Sequence, residues 1–106
     1  MPKFLIEATY TEEGYKGLAR DKASGRKAAV TQAAKKMGGK LEAMYYCLGD
    51  HDAMLIVDLP DHLCAAALAS AACAAGAAHT KTTVLLTVQE ADEALSKPVA
   101  YRAPGA

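Results

Sequence analysis

The sequence predicts an α+β fold, in which a four-stranded antiparallel sheet carries two helices on one face. Three observations predict it. Four segments have the two-residue alternation or the β-branched composition of strands, two longer segments carry helix signals, and Gly-rich or Pro-Asp turns separate them. The order is strand, helix, strand, strand, helix, strand. A chain of 106 residues is long enough for one core, so we expect a single domain over residues 1–106.

The first strand and the first helical region occupy the N-terminal third. Apolar and polar residues alternate over Lys3–Tyr10, which predicts the first strand. Thr9 or Thr11 can cap the helix that follows. The apolar stripe of this helix loses its register at residues 23–25 (Ala-Ser-Gly), so we expect a kink or short loop there. A second helical stretch then ends at Gly38-Gly39.

The remaining elements follow from turn chemistry and composition. The acidic turn Gly49-Asp50-His51-Asp52 separates two apolar runs and predicts a hairpin. Pro60-Asp61 is typical of a strand end followed by a helix cap, and the alanine-rich helix after it stops at Gly76. Strands two, three and four are predicted over residues 40–48, 53–59 and 80–88, and a short acidic helix over residues 89–96 precedes a proline-broken tail.

This order of elements is that of the ferredoxin-like βαββαβ arrangement. With right-handed crossovers, the first and third strands lie in the middle of the sheet, and we expect them to run parallel to each other. The second and fourth strands form the edges. Both helices then cover the same face, and the other face of the sheet is uncovered.

The uncovered face is expected to be too apolar to stay in contact with water. Seven of its thirteen predicted members are apolar or aromatic, which is typical of an interface. The thirteen are Leu5, Glu7, Thr9, Glu42, Met44, Tyr46, Leu48, Met54, Ile56, Asp58, Lys81, Thr83 and Leu85. We therefore expect a homodimer or larger homo-oligomer in which two sheets close face to face, as in the dimeric α+β barrels.

Such an assembly would desolvate the charges that remain on the uncovered face. Glu7, Glu42 and Lys81 then need partners, and an ion pair between Glu7 and Lys81 is expected because the first and fourth strands are neighbours. Tyr46 and Thr83 are the expected hydrogen-bonding neighbours. A structural ion pair at the interface is the simpler interpretation, and a ligand-binding cavity with convergent polar groups is the alternative.

The hairpin turn and one arginine supply the other candidate site residues. His51 lies between two carboxylates and could act as an acid or base, although a solvated turn histidine is the simpler interpretation. The catalytic candidates are therefore His51, Asp52 and Lys81. Arg26, at the start of the second helical stretch, either faces solvent or binds an anionic ligand at the edge of the cavity.

Composition argues against several functional classes. Twelve basic and twelve acidic residues cancel, so no general field attracts nucleic acid or an anionic membrane. No apolar run approaches the roughly 20 residues of a membrane-spanning helix. The pairs Cys47/His51 and His62/Cys64 lack the spacing of metal sites, and no cofactor motif is present. Three cysteines without paired spacing are unlike a disulfide-stapled secreted domain, so we expect a cytoplasmic protein. The missing motifs lead us to expect no metal and no cofactor.

The chain resembles the GYD-domain family of small bacterial proteins along essentially its whole length. The segments MPKFLIEATYTEEGYKGL, SGRKAAV, GGKLEAMYYCLGDHDAMLIVDLPD and TKTTVLLT carry the resemblance. The resemblance implies a fold similar to the dimeric α+β barrel group, some of whose other members are cofactor-free oxygenases or stress-response proteins. The GYD-domain family itself is largely without an assigned activity. The family's Gly-Tyr-Asp signature falls on this turn, where His51 replaces the tyrosine and Gly49 and Asp52 match. The C-terminal VAYRAPGA also resembles the family, and Tyr101 or Arg102 could contact a neighbouring subunit.

Three functional hypotheses follow. The first is a homo-oligomeric protein that binds a small molecule in a pocket at the sheet and dimer face. The second is a cofactor-independent enzyme of the oxygenase or isomerase kind, in which His51 or the pair Glu7 and Lys81 provides the acid and base. The third is a structural interaction module.

Overall fold

The fold is a four-stranded sheet with helices against one face, described by a computed structural model of residues 1–106. The elements are β1 (Lys3–Tyr10), α1 (Glu12–Lys36), β2 (Lys40–Tyr46), β3 (Ala53–Asp58), α2 (His62–Ala74), β4 (Ala78–Leu85) and α3 (Val88–Leu95). The strand order is β2-β3-β1-β4. The predicted α+β class is confirmed, and the order of elements is consistent with a ferredoxin-like fold.

All neighbouring strands are antiparallel, so the expectation that β1 and β3 run parallel was wrong. The reason lies in the connections. The crossover through α1 makes β2 run in the same direction as β1, and the tight hairpin then reverses the chain in β3. In the resulting register, Phe4 lies opposite Val57 and Ile6 opposite Leu55, so the apolar residues of the two central strands share one face.

The core lies between this face and the helices. Phe4, Val57 and Leu59 are its largest fully buried side chains, and Ala34 of α1 and Ala65 of α2 pack against them. Burial of each of the large side chains contributes about 1.5–3 kcal/mol to the free energy of unfolding. The two-residue alternation in β1 and β3 thus fixes which face receives the helices.

Helix α1 is kinked at one residue. Lys22 has a φ of 63° and a ψ of 164°, while the helix continues on both sides. The predicted break over residues 23–25 was therefore placed one residue too late, and no loop forms. At its start, the Thr11 hydroxyl caps the helix by accepting a hydrogen bond of 3.1 Å from the Gly14 amide.

A β-bulge changes which residues of β2 face the helices. The pairing with β3 shifts between Leu41 and Ala43, so two residues of β2 oppose one on β3. As a result, Met44 pairs with Leu55 and Tyr46 with Ala53, on the helix-covered face. The expectation that Met44 and Tyr46 lie on the uncovered face was wrong. Strict alternation along β2 could not reveal the inserted residue.

The C-terminal part extends away from the rest of the chain. Along α3, Val88 is 83% and Leu95 85% exposed, although a complete capping box between Thr87 and Glu90 starts the helix. The Cα radius of gyration is 16.7 Å, against about 13 Å for a compact domain of this length. No helix is both long and apolar enough to span a membrane.

Candidate functional site

An apolar cavity separates the two long helices above the sheet. It has a volume of about 300 Å³, and 15 of its 17 lining residues are hydrophobic. Its walls come from all four strands, from the second half of α1 and from one side of α2. The cavity exists because this side of α2 is almost entirely alanine, with Leu68 as its one large residue, and methyl groups cannot fill the space above the sheet.

Two polar residues, Arg26 and Thr80, line the cavity, together with the aromatic Tyr10. Arg26 is the one charged member. Its Nη1 atom lies 3.7 Å from Oδ2 of Asp21, and the two side chains are 38% and 53% exposed. This separation exceeds that of a direct hydrogen bond, so most donors of the guanidinium are free to bind another group.

Three tyrosines form a cluster at the Tyr10 end of the cavity. The rings of Tyr10 and Tyr46 stack with centroids 6.5 Å apart, and their hydroxyl oxygens are 3.5 Å apart. Tyr15 also packs against Tyr10, with a centroid distance of 5.4 Å and an angle of 59° between the ring planes. Partial burial and the hydrogen bond with Tyr10 raise the pKa of Tyr46, and the nearby Arg26 opposes the shift only in part. Tyr46 is therefore a protonated hydrogen-bond donor at neutral pH.

Asp52 joins this cluster to the hairpin turn. Its Oδ2 atom accepts a hydrogen bond of 2.8 Å from the Tyr10 amide. The nearby Tyr15 hydroxyl, followed by the hydrogen bond from the Tyr10 amide, lowers the pKa of Asp52, and Asp52 in turn raises the pKa of Tyr15. Asp52 is thus an ionised structural acceptor at neutral pH rather than a free base.

His51 lies on the opposite, uncovered face of the sheet. Its Nε2 atom is 3.3 Å from Oε2 of Glu7, and its Nδ1 atom is 3.3 Å from the Thr9 hydroxyl. Glu7 is also aligned with Lys81 across β1 and β4, but no ion pair joins their side chains. The expected pair of Glu7 and Lys81 is therefore replaced by a contact between Glu7 and His51.

A second charged group occupies the other end of the uncovered face. Lys3 Nζ lies 2.8 Å from Asp58 Oδ1 and 3.3 Å from Glu42 Oε2. The hydrogen bond to Asp58 is the main cause of a raised pKa of Lys3, and Glu42 adds to it. Sequence reasoning had left Glu42 without a partner. Lys3 is aligned with Asp58 across β1 and β3, and from there its ammonium group also reaches Glu42.

The predicted site residues thus divide between the two faces. Arg26 and Tyr46 lie near the cavity, and Asp52 is connected to it through Tyr10. Five others belong to the uncovered face: Glu7, Glu42, His51, Lys81 and Thr83. Their roles in binding or catalysis stay predictions, as does a pocket between two subunits.

Sequence reasoning missed the cavity itself and the part played by Tyr10 and Tyr15. A usable signal was the alanine run of α2, which leaves room opposite the sheet whether or not a ligand fills it. No three His, Cys, Asp or Glu side chains lie close enough together to hold a metal ion.

Comparison with known proteins places the chain in a family. The model of the GYD domain matches residues 4–95, a span that includes the sheet, both cavity-forming helices and α3. The chain belongs to the GYD domain family. Searches of curated proteins and of solved structures found no significant match. The match to the GYD model confirms the resemblance seen in the sequence. In this GYD domain, the β2–β3 turn contributes Asp52 to the tyrosine cluster and His51 to the uncovered face.

Proposed function

We propose that this GYD domain is a homo-oligomeric binding protein for a small, mainly apolar molecule, held in the cavity between α1, α2 and the sheet. The cavity carries the proposal. Its volume of about 300 Å³ lies at the lower end of the range of small-molecule pockets, roughly 300–1,000 Å³. An apolar space of this size with a few polar groups at one end is typical of a small ligand site.

The charge states around the cavity favour binding over acid–base catalysis. A general base works best with a pKa near the operating pH. Here the pKa of Asp52 is lowered and the pKa values of Tyr15 and Tyr46 are raised, so each group is held in one protonation state at neutral pH. Fixed donors and acceptors suit recognition of a ligand.

The surface area supports an oligomer. The chain exposes 7317 Å², against about 5,700 Å² for a compact monomer of 11.1 kDa. The excess, about 1,600 Å², is in the range that one subunit of an obligate homodimer buries. The occupant we propose for the uncovered face is therefore a second copy of the chain, which also covers the apolar side of α3.

The three cysteines, none in a disulfide, fit a reducing cytoplasm.

Binding is tested with two neutral probes, indole and 1-octanol, and two variants of α2. Ala72→Leu fills the cavity, while Ala67→Leu adds the same atoms on the exposed side of the helix. We expect the probes to raise the melting temperature of the wild type and of Ala67→Leu but not of Ala72→Leu. Equal shifts in both variants, or no shift for any protein, would contradict a ligand site in this cavity.

The assembly is tested with Tyr45→Glu, which puts a charge on the uncovered face, and Val84→Glu, which puts one on the helix-covered face of β4. These residues are 66% and 59% exposed, so both chains should fold. We expect sedimentation velocity at micromolar concentration to find dimers of the wild type and Val84→Glu, and monomers of Tyr45→Glu. A monomeric wild type would overturn the assembly.

A further inference from the structure

We infer that the molecule bound in the cavity is an amphiphilic anion, with an apolar body of about ten non-hydrogen atoms and one carboxylate held by Arg26. This inference depends on the proposed function, since it names the class of ligand for the same cavity. It is carried by the position of a single charged side chain in a wall that is otherwise almost wholly apolar.

Arg26 reaches the cavity from the helical stretch that follows the kink at Lys22. It is half-buried, and its apolar neighbours on the wall include Ala29, Val30 and Ala33 of the same helix. A guanidinium against such a wall loses part of its hydration without gaining a buried partner. An anionic group at this place would restore the lost interactions, which a neutral apolar molecule cannot do.

The one carboxylate near Arg26 does not occupy its binding fork. Asp21 precedes the kink, is more than half exposed, and reaches only Nη1 at 3.7 Å. An exposed pair of this kind contributes little, because water competes for both charges. The guanidinium can therefore offer two parallel N–H donors to a carboxylate, the geometry in which arginine binds anions best.

The tyrosine cluster gives the anion a second set of donors. The hydroxyl oxygens of Tyr10 and Tyr46 are 3.5 Å apart, which is too long for a strong mutual hydrogen bond. At least one hydroxyl can therefore donate to a ligand. Tyr10 and Arg26 both line the cavity, so a phenol donor and the guanidinium can reach the same ligand.

Asp52 does not counter this arrangement. Its carboxylate accepts a hydrogen bond from the Tyr10 amide and does not line the cavity. No acidic residue lines the cavity. The lining therefore carries one positive charge and no negative one, which favours a negative rather than a positive head group.

The test compares octanoate with 1-octanol, which share an eight-carbon chain and differ in the charge of the head group. Affinities are measured by titration calorimetry on the wild type and on two neighbouring variants. Arg26→Gln removes the cavity charge, and Lys27→Gln removes an exposed charge that does not line the cavity. Ala72→Leu should abolish binding of both probes, which locates them in the cavity.

We expect the wild type and Lys27→Gln to bind octanoate about ten-fold or more tightly than octanol, the gain of one charge-assisted contact. Arg26→Gln should lose this preference while its affinity for octanol stays unchanged. If octanol binds as tightly as octanoate to the wild type, or the preference persists in Arg26→Gln, the anion inference is wrong although the cavity binds ligands. If neither probe binds, the proposed function fails with it.

Discussion

The Tyr10 amide donates a hydrogen bond of 2.8 Å to the Asp52 carboxylate, and the Asp52 amide donates one of 2.9 Å to the Ala8 carbonyl. These two bonds fasten the β2–β3 turn to the end of β1. Because Tyr10 lines the cavity, the turn also fixes one end of the candidate site. Asp52 thus positions one wall of the cavity without lining it.

Replacement of Asp52 should destabilise the chain in a graded manner. Asp52→Ala removes both acceptors and should lower the melting temperature at pH 7 more than Asp52→Asn, whose amide oxygen can still accept from Tyr10. Thermal denaturation followed by circular dichroism measures the order. Equal melting temperatures for the wild type and Asp52→Ala would contradict a clamping role.

The same carboxylate should give the stability a pH dependence. Its pKa in the folded chain is lowered, mainly by Tyr15, so the folded chain binds fewer protons here than the unfolded chain does. The stabilisation is fully present above the unfolded value of about 4 and is lost as the pH falls through the folded pKa. Urea unfolding between pH 7 and pH 3 should therefore have a shallower acid decline in Asp52→Asn than in the wild type.

Gly14 should not tolerate a side chain. A Cβ atom there would lie 1.9 Å from the Ala77 carbonyl oxygen, since the start of α1 packs directly on the backbone that precedes β4. We expect Gly14→Ala to lower the free energy of unfolding by about 2 kcal/mol. Gly17→Ala, three residues along the same helix with no atom within 4 Å of the added Cβ, should raise it by up to about 1 kcal/mol. Urea denaturation measures both, and a similar loss for the two variants would argue against the close approach at Gly14.

Lys22 is the opposite case, because its replacement by glycine should stabilise the folded chain. Its φ of 63° and ψ of 164° fall in a region that only glycine enters easily. Lys22→Gly should therefore raise the free energy of unfolding by about 1 kcal/mol. Ala28→Gly, at an exposed position in the regular part of α1, should lower it by about 1 kcal/mol. If Lys22→Gly also destabilises, α1 has no kink at this position.

The sequence could predict the fold because its strongest signals are local. Alternation in β1 and β3 identifies the buried face, and the Pro60-Asp61 cap and the Gly38-Gly39 stop delimit the helices. The candidate site, by contrast, depends on two features that have no local signal in the sequence. The bulge beside Glu42 is one extra residue in an ordinary strand sequence, and it moves Tyr46 across the sheet. The cavity arises from the packing of an alanine-rich helix, which depends on tertiary distances.

Because of the bulge, a charged substitution should destabilise the chain more at Met44 than at Met54, although simple alternation puts both residues on the uncovered face. Met44 packs against the core, while Met54 pairs with Tyr45 on the other side of the sheet. In the Tyr45→Glu background, chosen to remove the dimer interface, Met44→Glu should lower the free energy of unfolding by about 2 kcal/mol or more, because it takes a charge into an apolar site. Met54→Glu should cost less than about 1 kcal/mol there, since its carboxylate can stay in water. Losses of equal size, measured by urea denaturation, would mean that β2 alternates without a bulge and that Tyr46 does not lie beside Tyr10.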